Sequence, residues 1–263
     1  MIDVAVTGAT GRMGREVLAA AAERDDVEVV LAVNRGGAAG DTVASVGGVD
    51  IEPASDLEPL LVEREPTVLV DFTGPESSVA YVEACAAASV AAVVGTTGFD
   101  EEQEAALRAA SETIPVLVAP NFARGVQVLV NVVAEAVTSL PDYDVEVTET
   151  HHNRKRDAPS GTANRILDAI EDQRAETQRA ATERVHGREG EARRQPGEIG
   201  VHARRAGDVT GEHEVLLAGN HEEVRLTHRA SRRGVFAEGA LDAANWLAGR
   251  EPGWYDFAEV LGT

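Results

Sequence analysis

The sequence predicts an α/β fold: a Rossmann-like domain with a doubly wound parallel sheet, and an α+β domain with a mixed or antiparallel sheet. Three observations support this prediction. Short apolar runs alternate with helical stretches over the first 120 residues, a glycine-rich turn follows the first run, and the later strands alternate apolar with polar residues. Parallel strands covered by helices on both faces are apolar throughout, whereas an alternating strand has one solvent-facing side.

The first domain is predicted element by element from these signals. Strands are expected at residues 2–7, 27–33, 67–71, 91–94 and 116–119. Helices are expected at residues 12–23, 53–64, 75–88 and 101–111. Strands that are joined through helices in this order lie parallel in one sheet.

After Asn121 the pattern changes, which predicts a second domain. A helix is expected at 126–140, because apolar residues recur there at helical spacing and Pro141 ends the run. The other elements expected are strands at 144–150, 198–205, 212–217 and 222–228, a helix followed by an exposed loop within 171–197, and a last helix at 235–248. We therefore place the first domain at 1–121 and 238–263 and the second at 122–237.

The composition excludes several classes of protein. The 263 residues are 43% hydrophobic and 26% charged, which is typical of a globular chain. No apolar run approaches the roughly 18 residues of a membrane span, and the N-terminus lacks a basic region and a cleavage site. The single Cys85 excludes an internal disulfide framework and a zinc ribbon. We therefore expect a cytoplasmic protein with no membrane partner and no metal.

Acidic and basic residues are strongly unbalanced. Asp and Glu number 45 against 24 Lys and Arg, which gives a formal net charge of −21. Such a surface repels phosphate backbones, so no nucleic-acid partner is expected. Among the basic residues Lys155 is the one lysine of the sequence. This composition resembles that of salt-adapted cytosolic proteins; the alternative is an ordinary acidic protein.

The glycine-rich turn predicts a dinucleotide site. It follows the first strand and consists of Gly8, Ala9, Thr10, Gly11, Arg12 and Met13, with Gly14 next. The first glycine makes the tight turn, the second lets backbone amides approach a pyrophosphate, and the following helix N-terminus attracts negative charge. The alternative is a plain strand-to-helix turn whose glycines serve packing alone.

The end of the second strand bears on the choice of cofactor. NAD enzymes usually carry Asp or Glu there, which binds the ribose hydroxyls. This chain has Asn34 and Arg35 instead. Asn34 does not repel a 2′-phosphate and Arg35 is able to pair with one, which favours NADPH, with NADH as the alternative. The other interpretation of Arg35 is a solvated surface charge.

Two further loops follow strands of the same predicted sheet, where ligands bind in such folds. One loop contains Gly95, Thr96 and Thr97, and the other contains Ala119, Pro120, Asn121 and Phe122. Small residues let the backbone approach a flat ring, although a structural turn produces a similar pattern.

The densest group of polar residues follows the strand at 144–150. It contains His151, His152 and Lys155, and then Ser160, Gly161 and Thr162 where a helix begins. A helix opening of this type binds carboxylates through free amides, and a lysine beside histidines acts as a proton donor or a carboxylate clamp. The alternatives are a metal-binding histidine pair and a solvated basic loop. Adjacent histidines on a strand point to opposite faces, which disfavours the metal.

These segments together resemble one family. The strings GATGRMG, VDFTGPE, GTTGFD, APNFARGV, HHNRKRDAPSGTA, RAGDVTGEHEVLL and THRASRRGVFAEGAL run through nearly the whole chain. They are similar to those of 4-hydroxy-tetrahydrodipicolinate reductase, also called dihydrodipicolinate reductase, and HHNRKRDAPSGTA is the most specific of them.

The resemblance implies a reaction and a set of roles. A small cyclic dicarboxylate loses water, a nicotinamide delivers hydride to ring C4, and C3 is then protonated, giving tetrahydrodipicolinate on the diaminopimelate route to lysine. His151 is implied as proton donor or acceptor and Lys155 as proton donor. The implied substrate-binding residues are His152, Ser160, Gly161 and Thr162, with Arg233 near the mouth of the site, and the implied assembly is a homotetramer formed through the second sheet.

Two features depart from the family's pattern. Many relatives carry an acid where this chain has Asn34, which leaves the cofactor preference open. His202 and Arg204 lie in a strand that is usually more apolar, and the sequence does not explain them. Two other functions remain as alternatives: an oxidoreductase acting on an amino-acid semialdehyde or imino acid, and a non-catalytic redox sensor that binds the dinucleotide.

The charge balance predicts that salt stabilises this protein. Because salt screens the repulsion among acidic groups, we expect a higher thermal midpoint in molar KCl than in dilute buffer, measured by calorimetry. A midpoint that stays constant or falls between these conditions would contradict salt adaptation.

Overall fold

A computed structural model describes residues 1–35, 49–176 and 183–262. Its strands are β1 (Ile2–Thr7), β2 (Val27–Asn34), β3 (Ile51–Pro53), β4 (Val68–Asp71), β5 (Ala91–Val94), β6 (Pro115–Val118), β7 (Asp144–His151), β8 (Glu183–His186), β9 (Glu198–Arg205), β10 (Gly211–Gly219), β11 (Glu222–Ala230) and β12 (Gly253–Tyr255). Its helices are α1 (Arg12–Ala22), α2 (Leu57–Arg64), α3 (Pro75–Ala88), α4 (Glu101–Ser111), α5 (Arg124–Ser139), α6 (Gly161–Glu176), α7 (Gly234–Leu247) and α8 (Phe257–Val260).

The chain divides into two compact units. Unit 1 comprises 1–122 and 233–263, and unit 2 comprises 123–232. The return to unit 1 comes five residues earlier than the 238 expected from the sequence, because α7 begins at Gly234 and packs in unit 1 against α1. Among the described residues, no helix combines the length and the apolar character needed to cross a membrane.

Unit 1 contains a seven-stranded parallel sheet in the order β12-β6-β5-β4-β1-β2-β3. Helices cover both faces, and successive residues of β1 show why its strands are apolar throughout. Val4 and Val6 pack into a core with α1 and α7, whereas Ala5 packs into a second core with α2, α3 and α4. The predicted α/β class is confirmed.

Unit 2 contains a five-stranded mixed sheet in the order β11-β10-β7-β9-β8. β10 is antiparallel to β7 and β11, while β9 is parallel to β7 and β8. Alternate residues such as Val145, Val147 and Val215 form a core with the apolar sides of α5 and α6. One face of β7 and of β10 is therefore buried, as the alternating pattern predicts.

Some elements differ from the sequence expectation. The segment 171–197, expected to be a helix and a loop, also contains β8, which pairs with β9; residues 177–182 lie outside the described residues. Residues 53–64 form a short 3-10 turn, Ala54–Asp56, before α2. β3 and β12 were not expected either. These strands have three or four residues each, which is too short for an alternation to be recognised, and pairing with a neighbouring strand defines them.

Candidate active site

The glycine-rich turn lies where the strand order of unit 1 reverses. β1 is flanked by β2 on one side and β4 on the other, and ligands of such sheets bind at this switch point. Gly8 has φ +60°, and a Cβ on Gly14 would lie 2.2 Å from the Gly8 carbonyl oxygen. Gly11 caps α1 without a side-chain hydrogen bond. The turn thus requires glycine, and the first amides of α1 are left without a side-chain cap.

A cavity of about 280 Å³ opens beside this turn. Its lining residues are Gly8, Asn34, Arg35, Thr73, Gly74, Ser77 and Tyr81. The structure thus brings Asn34 and Arg35 to the turn that the sequence assigned to pyrophosphate. None of the lining residues that the structure describes is a carboxylate, and Gly74 precedes α3 without a side-chain cap. Glycine surfaces, an arginine and a second helix N-terminus fit a phosphorylated dinucleotide.

The other predicted cofactor residues differ in exposure. Thr97, Arg12 and Pro120 are exposed, and Thr10, Met13, Gly95 and Asn121 are half-buried. The amides of Ala9 and Ala119 donate to the carbonyls of Val33 and Val94. The buried Phe122 ring makes edge-on contacts with Phe72 and Phe257. The side chains of these three residues therefore belong to the core.

A buried carboxylate joins several chain segments at the C-terminal ends of the unit 1 strands. The sequence predicted no role for it. Asp71, at the end of β4, has no exposed surface. It accepts hydrogen bonds from four hydroxyl groups, those of Thr7 (2.5 Å), Thr73 (2.7 Å), Ser78 (2.5 Å) and Thr96 (3.0 Å). The predicted ligand Thr96 thus turns its hydroxyl toward Asp71. The available signal was the hydroxyl-rich sequence that follows VDF in β4.

In unit 2 the polar cluster gathers at the C-terminal end of β7, the middle strand. Glu149 and His151 lie on the same face, because they are two residues apart. The pairing register sets Glu149 beside His213 of β10 and His151 beside Arg205 of β9. Of these four residues the sequence analysis assigned a role to His151 alone, since the other contacts depend on strand pairing.

Glu149 is the centre of this cluster and is 1% exposed. Its carboxylate accepts two hydrogen bonds from the Arg205 guanidinium (2.7 and 2.8 Å) and one from the Ser160 amide (3.2 Å). Its Oε2 also lies 2.5 Å from Nδ1 of His151. Burial opposes its ionisation, but the hydrogen bonds from Arg205 and His151 hold the pKa of Glu149 below its usual range.

Burial favours the uncharged form of two neighbouring histidines in this cluster. Burial lowers the pKa of His151 despite the adjacent Glu149 carboxylate. Burial, with a smaller contribution from neighbouring His151, lowers the pKa of His213 to about 3. The two rings meet edge to face at 5.2 Å, and Nε2 of His213 lies 3.1 Å from the Ser160 hydroxyl.

The remaining predicted site residues follow β7 in the chain. Lys155 is half-buried, and its ammonium lies 2.9 Å from the exposed Asp157 carboxylate. The Ser160 hydroxyl accepts the Ala163 amide, which caps α6. Gly161 is exposed with open space where a Cβ would lie, and His152 and Thr162 are half-buried. Arg233, which belongs to unit 1, precedes α7.

The structure also explains the two unexpected residues of β9, which lie on the face away from Glu149. His202 lies with its Nε2 2.7 Å from Oε2 of Glu146, and Arg204 donates to the Thr150 hydroxyl at 2.9 Å. In the part of the chain that the structure describes, no group of three or more His, Cys, Asp or Glu side chains is arranged to hold a metal ion.

A glycine turn at the switch point of a parallel sheet, with a second unit carrying a histidine, lysine and carboxylate cluster, is characteristic of dinucleotide-dependent oxidoreductases. Comparisons with known proteins specify the family. Models of the dihydrodipicolinate reductase N-terminus and C-terminus match residues 2–122 and 125–261. The chain therefore belongs to the dihydrodipicolinate reductase family and is an NAD(P)H-dependent oxidoreductase.

Individual relatives cover the full chain. The 4-hydroxy-tetrahydrodipicolinate reductase of Natronomonas pharaonis is 54% identical over 99% of this chain and 100% of its own length. That of Haloarcula marismortui is 53% identical over 99% of both chains. A solved structure, dipicolinate-bound dihydrodipicolinate reductase from Paenisporosarcina sp. TG-14, has a TM-score of 0.74 and 26% identity over 97% of both chains. The resemblance found in the sequence is thereby confirmed.

The buried, uncharged His213 predicts a dependence of stability on pH. The pKa of His213 is about 3 in the folded chain, against the ordinary histidine value of 6.5. Between these values the unfolded chain binds a proton at His213 and the folded chain does not. The free energy of unfolding therefore decreases as the pH falls through that window. At about pH 5 the loss amounts to roughly 2 kcal/mol.

We expect His213→Gln to reduce, by about this amount, the difference in unfolding free energy between about pH 7 and pH 5, measured in urea. The matched control is His186→Gln, which alters an exposed histidine of the same unit and should leave the difference unchanged. If His213→Gln and the wild type show the same difference in unfolding free energy between these pH values, the folded protein also binds this proton.

Proposed function

We propose that this protein reduces 4-hydroxy-tetrahydrodipicolinate to tetrahydrodipicolinate with NADPH, in the biosynthesis of lysine through diaminopimelate. The observation that carries the proposal is the full-length similarity to reductases of that name. The cluster around Glu149, His151 and Lys155 supports it, because the specific string HHNRKRDAPSGTA folds as one group at the end of β7. The related structure with bound dipicolinate makes a small cyclic dicarboxylate the natural substrate class.

The residues of unit 1 would hold the cofactor, which supplies the hydride for ring C4 when it is bound. The turn at Gly8 and Gly11 lets the backbone approach the pyrophosphate, and the N-termini of α1 and α3 attract its charge. Asn34 and Arg35 line the adjoining cavity, where a 2′-phosphate would meet the Arg35 cation. This lining supports NADPH over NADH.

The residues of unit 2 would bind the substrate and move the proton that ring C3 receives. Lys155 and the opening of α6, with Ser160, Gly161 and Thr162, offer a cation and a helix N-terminus to the two carboxylates. Lys155 and His151 are the proposed proton carriers, and His152 is proposed to assist in substrate binding. The homotetramer and the cytoplasmic location stay predictions.

The cofactor preference is tested at Arg35. We expect kcat/KM to be higher with NADPH than with NADH, and Arg35→Ala to reduce the NADPH value much more than the NADH value, because only NADPH carries the phosphate. The readout is initial rates of cofactor oxidation. Arg64→Ala, which removes another partly exposed arginine of unit 1, is the control and should alter neither value. Equal losses with both cofactors at Arg35 would overturn the assignment.

The role of Lys155 is tested by a change that keeps its charge. Lys155→Arg retains a cation, but guanidinium does not release a proton near neutral pH. Because a general acid contributes about 10²–10⁴ in rate, kcat should fall by roughly this factor while NADPH affinity stays near that of the wild type. The control is Arg156→Lys, the opposite exchange at the next, exposed position. A normal kcat in Lys155→Arg would mean that only the charge of this side chain matters.

A further inference from the structure

Glu149 has no role in the proposed chemistry, yet it is the most completely bonded side chain of the cluster. It is 1% exposed and contacts Arg205, Ser160 and His151, which come from a neighbouring strand, the start of α6 and its own strand. We infer that Glu149 is a positioning residue that fixes the tautomer and orientation of the His151 ring. This inference rests on the proposed role of His151 as a proton carrier.

The chemistry of a carboxylate determines the tautomer. An ionised carboxylate only accepts hydrogen bonds, so the 2.5 Å contact requires that Nδ1 of His151 carries the hydrogen. Nε2 is then the nitrogen that holds or gives up the exchangeable proton. The same logic assigns histidine tautomers wherever a carboxylate orients an imidazole.

The surroundings leave room for that nitrogen. Gly211 of β10 lies beside the ring, and a Cβ at this position would lie 3.2 Å from Nε2 of His151. Glycine at position 211 therefore places no side chain against Nε2 of His151, while Glu149 holds Nδ1. The ring is therefore fixed at Nδ1 by Glu149, and the residue at position 211 has no side chain that would crowd Nε2.

The charged groups around His151 act in opposite directions. Glu149, on the same strand, favours a protonated ring, whereas Arg205 of β9 and Lys155 of the following loop disfavour it. The uncharged His213 of β10 meets the ring edge to face. Because Arg205 also makes two hydrogen bonds with Glu149, the carboxylate stays ionised and keeps acting as an acceptor.

Glu149→Gln is the sharpest test, because every contact of the carboxylate comes from a donor. Oε1 accepts from Ser160 and Arg205, and Oε2 accepts from His151 and Arg205. A glutamine must turn its NH₂ group toward one of these pairs of donors. We expect it to face His151, whose ring then changes tautomer so that Nδ1 becomes an acceptor.

The tautomer is read directly from ¹⁵N spectra of the full-length protein labelled at histidine, with His151 assigned by its absence in His151→Gln. The wild type should show hydrogen on Nδ1, and Glu149→Gln should show a shift toward hydrogen on Nε2. An identical His151 spectrum in both proteins would overturn the inference. This measurement needs no substrate, so it is independent of the proposed reaction.

Kinetics supply the second arm. We expect Glu149→Gln to lower kcat about 10- to 100-fold, with KM close to that of the wild type and the pH limb of kcat moved to lower pH. In a His151→Gln background the same change should cost little more, because Glu149 acts through that ring. An equal loss in both backgrounds would show a merely structural role. A normal kcat in His151→Gln alone would instead refute the proposed role of His151.

Two further variants keep the test decisive. Glu171→Gln breaks another two-bond contact with an arginine, that of Glu171 with Arg184 in the same unit, and should leave kcat and the His151 spectrum unchanged. If Glu149→Gln does not fold, Glu149→Asp keeps the charge for Arg205 but withdraws the carboxylate from His151. It should show the same change of tautomer, and an unaltered His151 in this variant would overturn the inference.

Discussion

A carboxylate that is buried away from water must accept hydrogen bonds on both oxygens, and this requirement shapes the strand ends in each unit. In unit 1 the carboxylate is Asp71, and its donors come from β1, the segment after β4, α3 and the segment after β5. In unit 2 it is Glu149, and its donors come from β7, β9 and the start of α6. Each one fixes several chain segments at a single point, beside the residues assigned to ligand binding.

The two carboxylates differ in the donors that surround them. The donors of Asp71 are hydroxyl groups, which do not titrate near neutral pH. Its hydrogen bonds therefore serve to join the strand ends. Burial, with a further contribution from Asp71, raises the pKa of the Cys85 thiol, which keeps this cysteine unreactive. Glu149 is bonded to a guanidinium and an imidazole, and the imidazole titrates. The same requirement therefore joins strand ends in one unit and, in the other, orients the side chain that we propose as a proton carrier.

The proposed binding sites of the two units also use different chemical groups. The proposed cofactor site of unit 1 consists largely of backbone, with glycines that permit close approach and the N-termini of α1 and α3, together with the side chains of Asn34 and Arg35. The proposed substrate site of unit 2 relies on side chains, and burial affects charge states in this cluster, as the low pKa of His213 shows. A backbone site tolerates the acidic, lysine-poor composition of this chain, since peptide groups carry its charge complementarity. A side-chain site does not, which is the physical reason to expect a specific function for Lys155.

The sequence by itself determined the α/β class, most strand positions and the glycine turn, because each depends on local periodicity or on a local backbone conformation. Helices α3 and α4 and strand β5 have the bounds that their apolar and polar residues predict. The string from His151 to Thr162 likewise named a site, since its residues are neighbours in the chain. Tertiary structure alone decided the partners of these residues. Arg205 meets Glu149 across 56 residues of chain, and Thr7 meets Asp71 across 64, through strand pairing that no local pattern encodes. For the same reason the sequence did not predict β3, β8 and β12, because pairing with a neighbouring strand defines them.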